Sequence, residues 1–143
     1  MSAVLAYLSA ALIAAWGTAH AIPTGQVLAG FSPITPDNRR IIQQEWLAEA
    51  ITMWGLAAVL IAATAAGGPA ADIRAWVYRA VSALLIALAA LTALTGARTP
   101  VIWFKICPVL LSITAALLLT ASLRPGPGEG ITPTLPTPAP HAD

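Results

Sequence analysis

A group of ionisable residues lies at the entrance to the second apolar segment of this sequence. Asp37, Arg39, Arg40, Glu45 and Glu49 all fall within TPDNRRIIQQEWLAEA, residues 35–50, although only 9% of the chain is charged. Glu45 and Glu49 are four residues apart, so a helix places both carboxylates on one face. Carboxylates at this spacing can move protons as general acid and base, or bind a polar group.

Other residues with chemical potential are scarce and widely spaced along the chain. A histidine changes charge near neutral pH, and a cysteine beside a basic group can act as a nucleophile, although a buried, inert thiol is the alternative for Cys107. The candidate catalytic residues are Glu49, Glu45, His20 and Lys105. The candidate substrate-binding residues are Asp37, Arg39, Arg40, Trp46, Arg98 and Cys107.

Long apolar segments must position these residues. They cover about residues 3–21, 46–66, 76–94 and 101–123 of a chain that is 58% hydrophobic. A helix of roughly 20 residues crosses a hydrocarbon core of about 30 Å. The segments show no sustained alternation, and only helices or closed barrels satisfy the backbone in lipid. The sequence therefore predicts an all-α integral membrane four-helix bundle over residues 1–123, which makes it a multi-pass protein of the cell membrane.

The first segment has an alternative interpretation as a signal peptide. Its end, WGTAHA, resembles an A-x-A cleavage pattern. However, no Lys or Arg precedes the apolar stretch, which is also longer than a typical signal-peptide core. A retained span is therefore the prediction.

Four crossings bring distant polar residues to one end of the bundle. The first segment ends there, the second begins, the third ends and the fourth begins, and this end is called the mouth. The polar residues predicted at the mouth are His20, Asp37, Arg39, Arg40, Glu45, Glu49, Arg98, Lys105 and Cys107.

The helix of the second span is predicted to begin before its apolar part. Thr35 or Asp37 is a favourable N-cap, and Pro36 suits the first helical position, so the helix begins before the membrane. Arg39 and Arg40 then lie at the lipid headgroups, and Trp46 belongs to the aromatic belt.

Glu49 lies about one turn deeper than Glu45, where an ionisable group costs a few kcal/mol unless it is paired or solvated. Lys105 is the first candidate partner because of its similar depth, and Arg98 and His20 follow. Three interpretations stay open for this carboxylate. It can belong to a structural ion pair, to a binding or proton-handling site, or to a solvated rim.

Composition excludes several classes of protein. A net charge of +1 offers no basic field for nucleic acid. One cysteine and two histidines make a disulfide framework or a His and Cys metal centre unexpected, although carboxylates could hold a hard cation. The long first loop is unusually apolar and is expected to lie on the membrane face, with a lid over the mouth as the alternative. Residues 124–143, rich in Pro, Thr and Gly, are predicted to be a disordered tail, with a docking motif as the alternative.

The chain resembles the DoxX-like group of small four-helix bacterial membrane proteins. The resemblance covers roughly residues 3–122 as architecture and lies mainly in AEAITMWGLAAVLIAA, which carries an early glutamate in the second span. HAIPT, PDNRRI and KICP are also similar to stretches of uncharacterised short bacterial membrane proteins. Members of the DoxX-like group are tied to redox complexes and quinone-linked chemistry. The resemblance therefore implies a possible quinone ligand and favours cytoplasmic termini, although no cofactor is evident from the residues themselves.

The functional hypothesis from sequence is an accessory or binding protein. Its polar mouth, formed by His20, Glu45, Glu49, Arg98 and Lys105, would hold a lipid-like or quinone-like molecule or a partner subunit. The alternative is a small membrane enzyme that uses Glu45 or Glu49, with His20 or Lys105, as acid and base. A transporter is the least favoured hypothesis, because the spans offer few polar residues beyond the mouth.

Overall fold

The computed structural model describes residues 2–66 and 71–123, and these residues are almost entirely helical. The helices are α1 (Ser2–Ala21), α2 (Thr24–Ala29), α3 (Pro36–Ala65), α4 (Ala71–Leu94) and α5 (Ile102–Ser122), with a short 3-10 turn at Gly96–Arg98. Strands are absent from the described ranges. The predicted tail at 124–143 and the Gly67–Pro69 breaker lie outside them.

Helices α1, α3, α4 and α5 are each long and apolar enough to cross a membrane. The predicted all-α four-helix architecture is therefore confirmed, and the chain is a multi-pass membrane protein. The long first loop differs from a plain connection, because it contains the short helix α2. Most of each span's surface is exposed, as expected for helices that face lipid rather than water.

Helix α3 starts well before its apolar part, as the capping pattern predicts. Thr35 is the N-cap, with extended backbone, and its hydroxyl accepts a hydrogen bond from the Asn38 amide. Pro36 occupies the first helical position, where its missing N–H is not needed. The cap therefore fixes where the charged entrance of this long helix begins.

The bundle consists of two antiparallel helix pairs. Helix α1 packs extensively on α3, and α4 packs extensively on α5, whereas α1 and α5 connect the pairs. Helices α3 and α4 follow each other in sequence but touch only sparingly. The largest completely buried apolar side chains of the shared core are Tyr78, Ile13, Met53, Leu60, Leu85, Leu111 and Leu118.

Polar side chains are also buried at the end opposite the mouth. The Thr64 and Tyr78 hydroxyls lie 2.7 Å apart, and Thr64 donates to the Leu60 carbonyl at 2.6 Å, so Tyr78 is the donor in the first bond. Ser82 Oγ lies 2.8 Å from the Tyr78 carbonyl and 3.2 Å from the Ala115 carbonyl. Thr64, Tyr78 and Ser82, here called the distal cluster, join α4 to both α3 and α5.

Candidate functional site at the mouth

The central contact of the mouth joins α1 to α3. His20 Nε2 lies 3.4 Å from Glu49 Oε2, and the His20 side chain is only 8% exposed whereas that of Glu49 is 40% exposed. Helix α1 brings His20 there in its last turn, and α3 brings Glu49 one turn below the exposed Glu45. His20 and Glu49 are called the mouth pair. One partner is enclosed and the other remains reachable.

An aromatic ring fixes the orientation of the buried histidine. The Trp46 ring stacks on His20 with centroids 3.9 Å apart and an interplanar angle of 18°. Its Nε1 donates to the His20 carbonyl at 2.9 Å. That carbonyl belongs to the last turn of α1, where carbonyl groups have no partner within the helix. Trp46 therefore stacks on the imidazole face and also supplies a hydrogen-bond donor to the free His20 carbonyl at the end of α1.

The close approach of α1 and α3 depends on a glycine. A Cβ added to Gly17 would lie 3.0 Å from Met53 Cβ, 3.1 Å from the Ala50 carbonyl oxygen and 3.1 Å from Trp54 Nε1. Trp54 Nε1 also donates to Thr18 Oγ1 at 3.2 Å. Small residues allow membrane helices to pack closely, and here Gly17 brings the backbones together one turn below the mouth pair.

Two buried ring nitrogens at the mouth lack well-formed hydrogen bonds. His20 Nε2 and Trp16 Nε1 are both inaccessible, and neither makes a well-directed hydrogen bond to a described residue, although the Cys107 thiol lies beside the Trp16 indole. The contact of His20 with Glu49 therefore has the distance of an ion pair without the direction of a hydrogen bond. Trp16 and His20 are four residues apart on one helix, so they share a face of α1. Buried polar groups without partners are uncommon and call for an explanation.

Below the mouth pair, the buried thiol of Cys107 lies beside the Trp16 indole and the Thr92 hydroxyl. Helix α5 brings the cysteine and α4 brings the threonine. These residues extend the polar environment of the mouth toward the bundle interior. The sequence places Trp16 on the same face as His20 but predicts no functional role for Trp16 or Thr92, because a tryptophan or a threonine within a span is ordinary. The i, i+4 relation of Trp16 to His20 was the only available signal.

The structure does not give Glu49 the partner that its depth favours. Lys105 is exposed and forms no ion pair within residues 2–66 and 71–123, so the first candidate partner does not contact Glu49. The second-choice partner, His20, is the one in contact. Glu45 and Arg98 are exposed as well. The position of Lys105 along α5 sets how deep it lies, but the rotation of α5 about its own axis sets which way it faces. In this structure Lys105 faces outward.

The charged residues at the start of α3 form a separate, exposed group. Arg40 contacts Asp37 at 2.9 Å, one turn away, and both side chains are largely exposed. Arg39 is exposed and has no carboxylate within ion-pair distance among the described residues. These side chains do not join the mouth pair, so the structure divides the predicted binding residues into a buried set and a surface set.

Helix α5 completes one wall of the mouth. The Phe104 ring meets Trp46 edge to face, with centroids 6.3 Å apart. Phe104 also packs on Gly96, where an added Cβ would lie 3.0 Å from the ring. The 3-10 turn before α5 therefore packs against Phe104. Phe104 contacts Trp46, and Trp46 stacks on His20. In the described part of the chain, no group of three or more His, Cys, Asp or Glu side chains is arranged to hold a metal ion.

Comparison of the chain with protein-family models, curated proteins and solved structures gives no significant match.

Proposed function

We propose that this protein is a membrane binding or accessory protein whose mouth holds the polar head of a small lipid-like or quinone-like molecule. The observation that carries the proposal is the mouth pair, in which an enclosed histidine faces a carboxylate that is still 40% exposed. A ligand can therefore reach Glu49 without unpacking the bundle.

A purely structural ion pair would be arranged differently. Burial of charge in a membrane costs roughly 3 kcal/mol or more, and a structural pair recovers this through short, well-directed contacts. The 3.4 Å separation and the missing hydrogen bond at His20 Nε2 recover little. Trp46 nevertheless holds the imidazole in place by stacking. A positioned ring with an unused polar atom is suited to binding.

The chemistry of the mouth favours a head group with acceptor oxygens. Trp16 Nε1 is a donor only, and His20 Nε2 is a donor when it carries a proton. Both are buried without a well-formed hydrogen bond and lie on the same face of α1. A carbonyl or hydroxyl oxygen that enters beside the exposed Glu49 would satisfy such groups once the side chains that cover them move aside, which agrees with the quinone-linked chemistry that the DoxX-like resemblance implies.

The test is binding of a decyl-substituted benzoquinol, the reduced form of the quinone, whose hydroxyl can donate to the Glu49 carboxylate. Tryptophan fluorescence and native mass spectrometry measure its binding to the detergent-purified protein. Glu49→Gln should weaken binding by about tenfold or more, because a hydrogen bond to a charged group contributes roughly 1.5–3 kcal/mol. Its melting temperature should stay close to that of the unmodified protein. Glu45→Gln is the matched control, since it makes the same change in an exposed carboxylate one turn away.

Two outcomes would contradict this function. If Glu49→Gln unfolds the protein and a second substitution, His20→Leu, restores the melting temperature, the pair is structural. If both glutamate variants bind the quinol as well as the unmodified protein, the molecule does not use Glu49.

An enzyme is the second candidate, and the mouth pair is also the observation that favours it. A carboxylate beside a histidine can orient the imidazole and stabilise its protonated form, which assists proton transfer. Turnover by the isolated protein that is lost in both Glu49→Gln and His20→Gln would support this alternative. An accessory protein instead should copurify with larger membrane partners.

The orientation proposed for the chain follows from its crossings. An even number of spans puts Ser2 and Leu123 on one side of the membrane. Lys and Arg are too evenly divided between the two sides to choose between them. The family resemblance alone favours the cytoplasmic side for both.

A further inference from the structure

A second concave surface lies outside the mouth pair, between the first loop and the start of α3. It is a groove of about 680 Å³, within the range of small-molecule sites. Its apolar walls come from Leu28, Ala29, Pro33, Ile34 and Pro36, and its polar groups come from Ser32 and Arg39. The groove therefore combines one cation with a mainly apolar channel.

The charge of this groove is unbalanced. Arg40, next in sequence, is held by Asp37 at 2.9 Å. Arg39 lines the groove and faces no carboxylate within ion-pair distance in the described ranges. The only nearby carboxylate in the first turn of α3 is Asp37, which Arg40 already engages. An anionic group is the complementary occupant.

Exposed apolar side chains occur close in sequence to the residues that line the groove. Ile22 is 77% exposed, Phe31 is 52% exposed and Ile41 is 57% exposed. Large apolar side chains in such a cluster are unfavourable in water and favourable at a membrane interface. The groove belongs to the connection between two spans, so we expect it where the polar headgroups of one leaflet meet the hydrocarbon core.

We propose that this groove binds an anionic phospholipid of the surrounding bilayer. The phosphate of the lipid contacts the Arg39 guanidinium, which can form bidentate hydrogen bonds with phosphate oxygens. An acyl chain lies along Leu28, Pro33 and Ile34. The lipid fastens the first loop to the membrane face. This site does not depend on the mouth pair and uses none of its residues.

The experiment measures lipid retention by the full chain. The protein is purified from vesicles of equal phosphatidylglycerol and phosphatidylcholine, and bound lipids are counted by native mass spectrometry. The unmodified protein should retain phosphatidylglycerol preferentially. Arg39→Gln should reduce that preference about fivefold, since one arginine near an anionic surface contributes roughly 1 kcal/mol. Arg98→Gln, which removes an exposed arginine at the same end but outside the groove, should keep it.

A second variant tests the apolar part of the groove. Ala29→Phe places a large side chain in the groove wall, at an exposed position of α2. It should lower retention of phosphatidylglycerol while leaving the melting temperature in detergent unchanged.

Three results would overturn the lipid site. Equal losses in Arg39→Gln and Arg98→Gln would indicate general attraction to an anionic surface. Displacement of the lipid by millimolar inorganic phosphate would indicate a site for free phosphate. Equal retention of the two lipids by the unmodified protein would remove the role of Arg39 altogether.

Discussion

The Thr64 and Tyr78 hydroxyls of the distal cluster share a 2.7 Å hydrogen bond, whereas His20 Nε2 at the mouth has only a 3.4 Å contact with Glu49. Both regions bury polar atoms between helices. In the distal cluster every hydroxyl has a partner, and all of the groups are neutral. At the mouth, the titratable pair lies beside the Trp16 indole, and neither His20 Nε2 nor Trp16 Nε1 has a well-formed hydrogen bond.

The difference separates two uses of buried polarity. Neutral hydroxyls that hydrogen-bond to each other and to carbonyl groups hold helices in register at small cost. Ionisable groups with imperfect contacts cost stability, and such costs are concentrated at functional sites. The distal cluster is therefore structural, and the mouth is the place where ligand binding is expected.

The largest expected loss of stability comes from a substitution that breaks the distal cluster. Tyr78→Ala removes a side chain that is 2% exposed, together with its hydrogen bond. The free energy of unfolding should fall by about 3 kcal/mol, which is typical of a large buried aromatic replaced by Ala. Chemical unfolding in mixed micelles measures it. Tyr7→Ala, at a 43% exposed tyrosine of α1, is the control and should cost far less.

Ligand binding at the mouth should survive in the folded fraction of Tyr78→Ala. If the quinol affinity of that fraction falls as much as in Glu49→Gln, the two ends are not independent, and the separation of structural from functional polarity is wrong.

The next effect tests the helix contact beneath the mouth. Gly17→Ala introduces a Cβ 3.1 Å from the Ala50 carbonyl oxygen, which is main chain and cannot rotate away. Helices α1 and α3 should separate slightly, at a cost of about 2 kcal/mol for overpacking. Gly55→Ala on α3 is the matched control, because no described atom lies within 4 Å of the added methyl group.

Thermal unfolding in detergent compares the two alanine variants. Gly17→Ala should also weaken ligand binding, since it moves His20 relative to Glu49. An unchanged melting temperature in Gly17→Ala would mean that the helices can adjust without strain, and close packing would not then explain the mouth geometry.

The smallest of these effects concerns Trp46. Trp46→Phe keeps a ring against His20 but removes the 2.9 Å hydrogen bond to the His20 carbonyl. The expected loss is about 1 kcal/mol, the usual contribution of one such bond. Infrared spectroscopy with carbonyl-labelled histidine should show the His20 band at higher frequency. Trp103→Phe, at an exposed indole of α5, should leave that band in place.

The sequence predicts the fold well because membrane helices must satisfy their own backbone groups. Apolar length alone indicates the spans, and Thr35 with Pro36 indicates where α3 begins. Crossing order also gathers His20 and Glu49 at one end without any knowledge of packing. These properties depend on local residue chemistry and on the order of the spans, and both can be read directly from the sequence.

Rotation of each helix about its own axis is what the sequence leaves open. It decides that Lys105 faces outward and that His20 faces Glu49. That rotation follows from packing details such as the close approach at Gly17, which an alternating or periodic pattern does not reveal. Trp46 illustrates the same gap. Its position predicts a belt residue, and the structure adds that its ring stacks on His20 and its N–H donates to the His20 carbonyl.

The sparing contact between α3 and α4 has a consequence for biosynthesis. Helices α1 and α3 form one hairpin that contains both members of the mouth pair, and α4 and α5 form a second. Domains and hairpins near the N-terminus can fold while the rest of a chain is still being made. The mouth pair can thus assemble before the second hairpin enters the membrane and brings Phe104 against Trp46. Two co-expressed fragments, divided between the hairpins, should accordingly reassociate into one bundle.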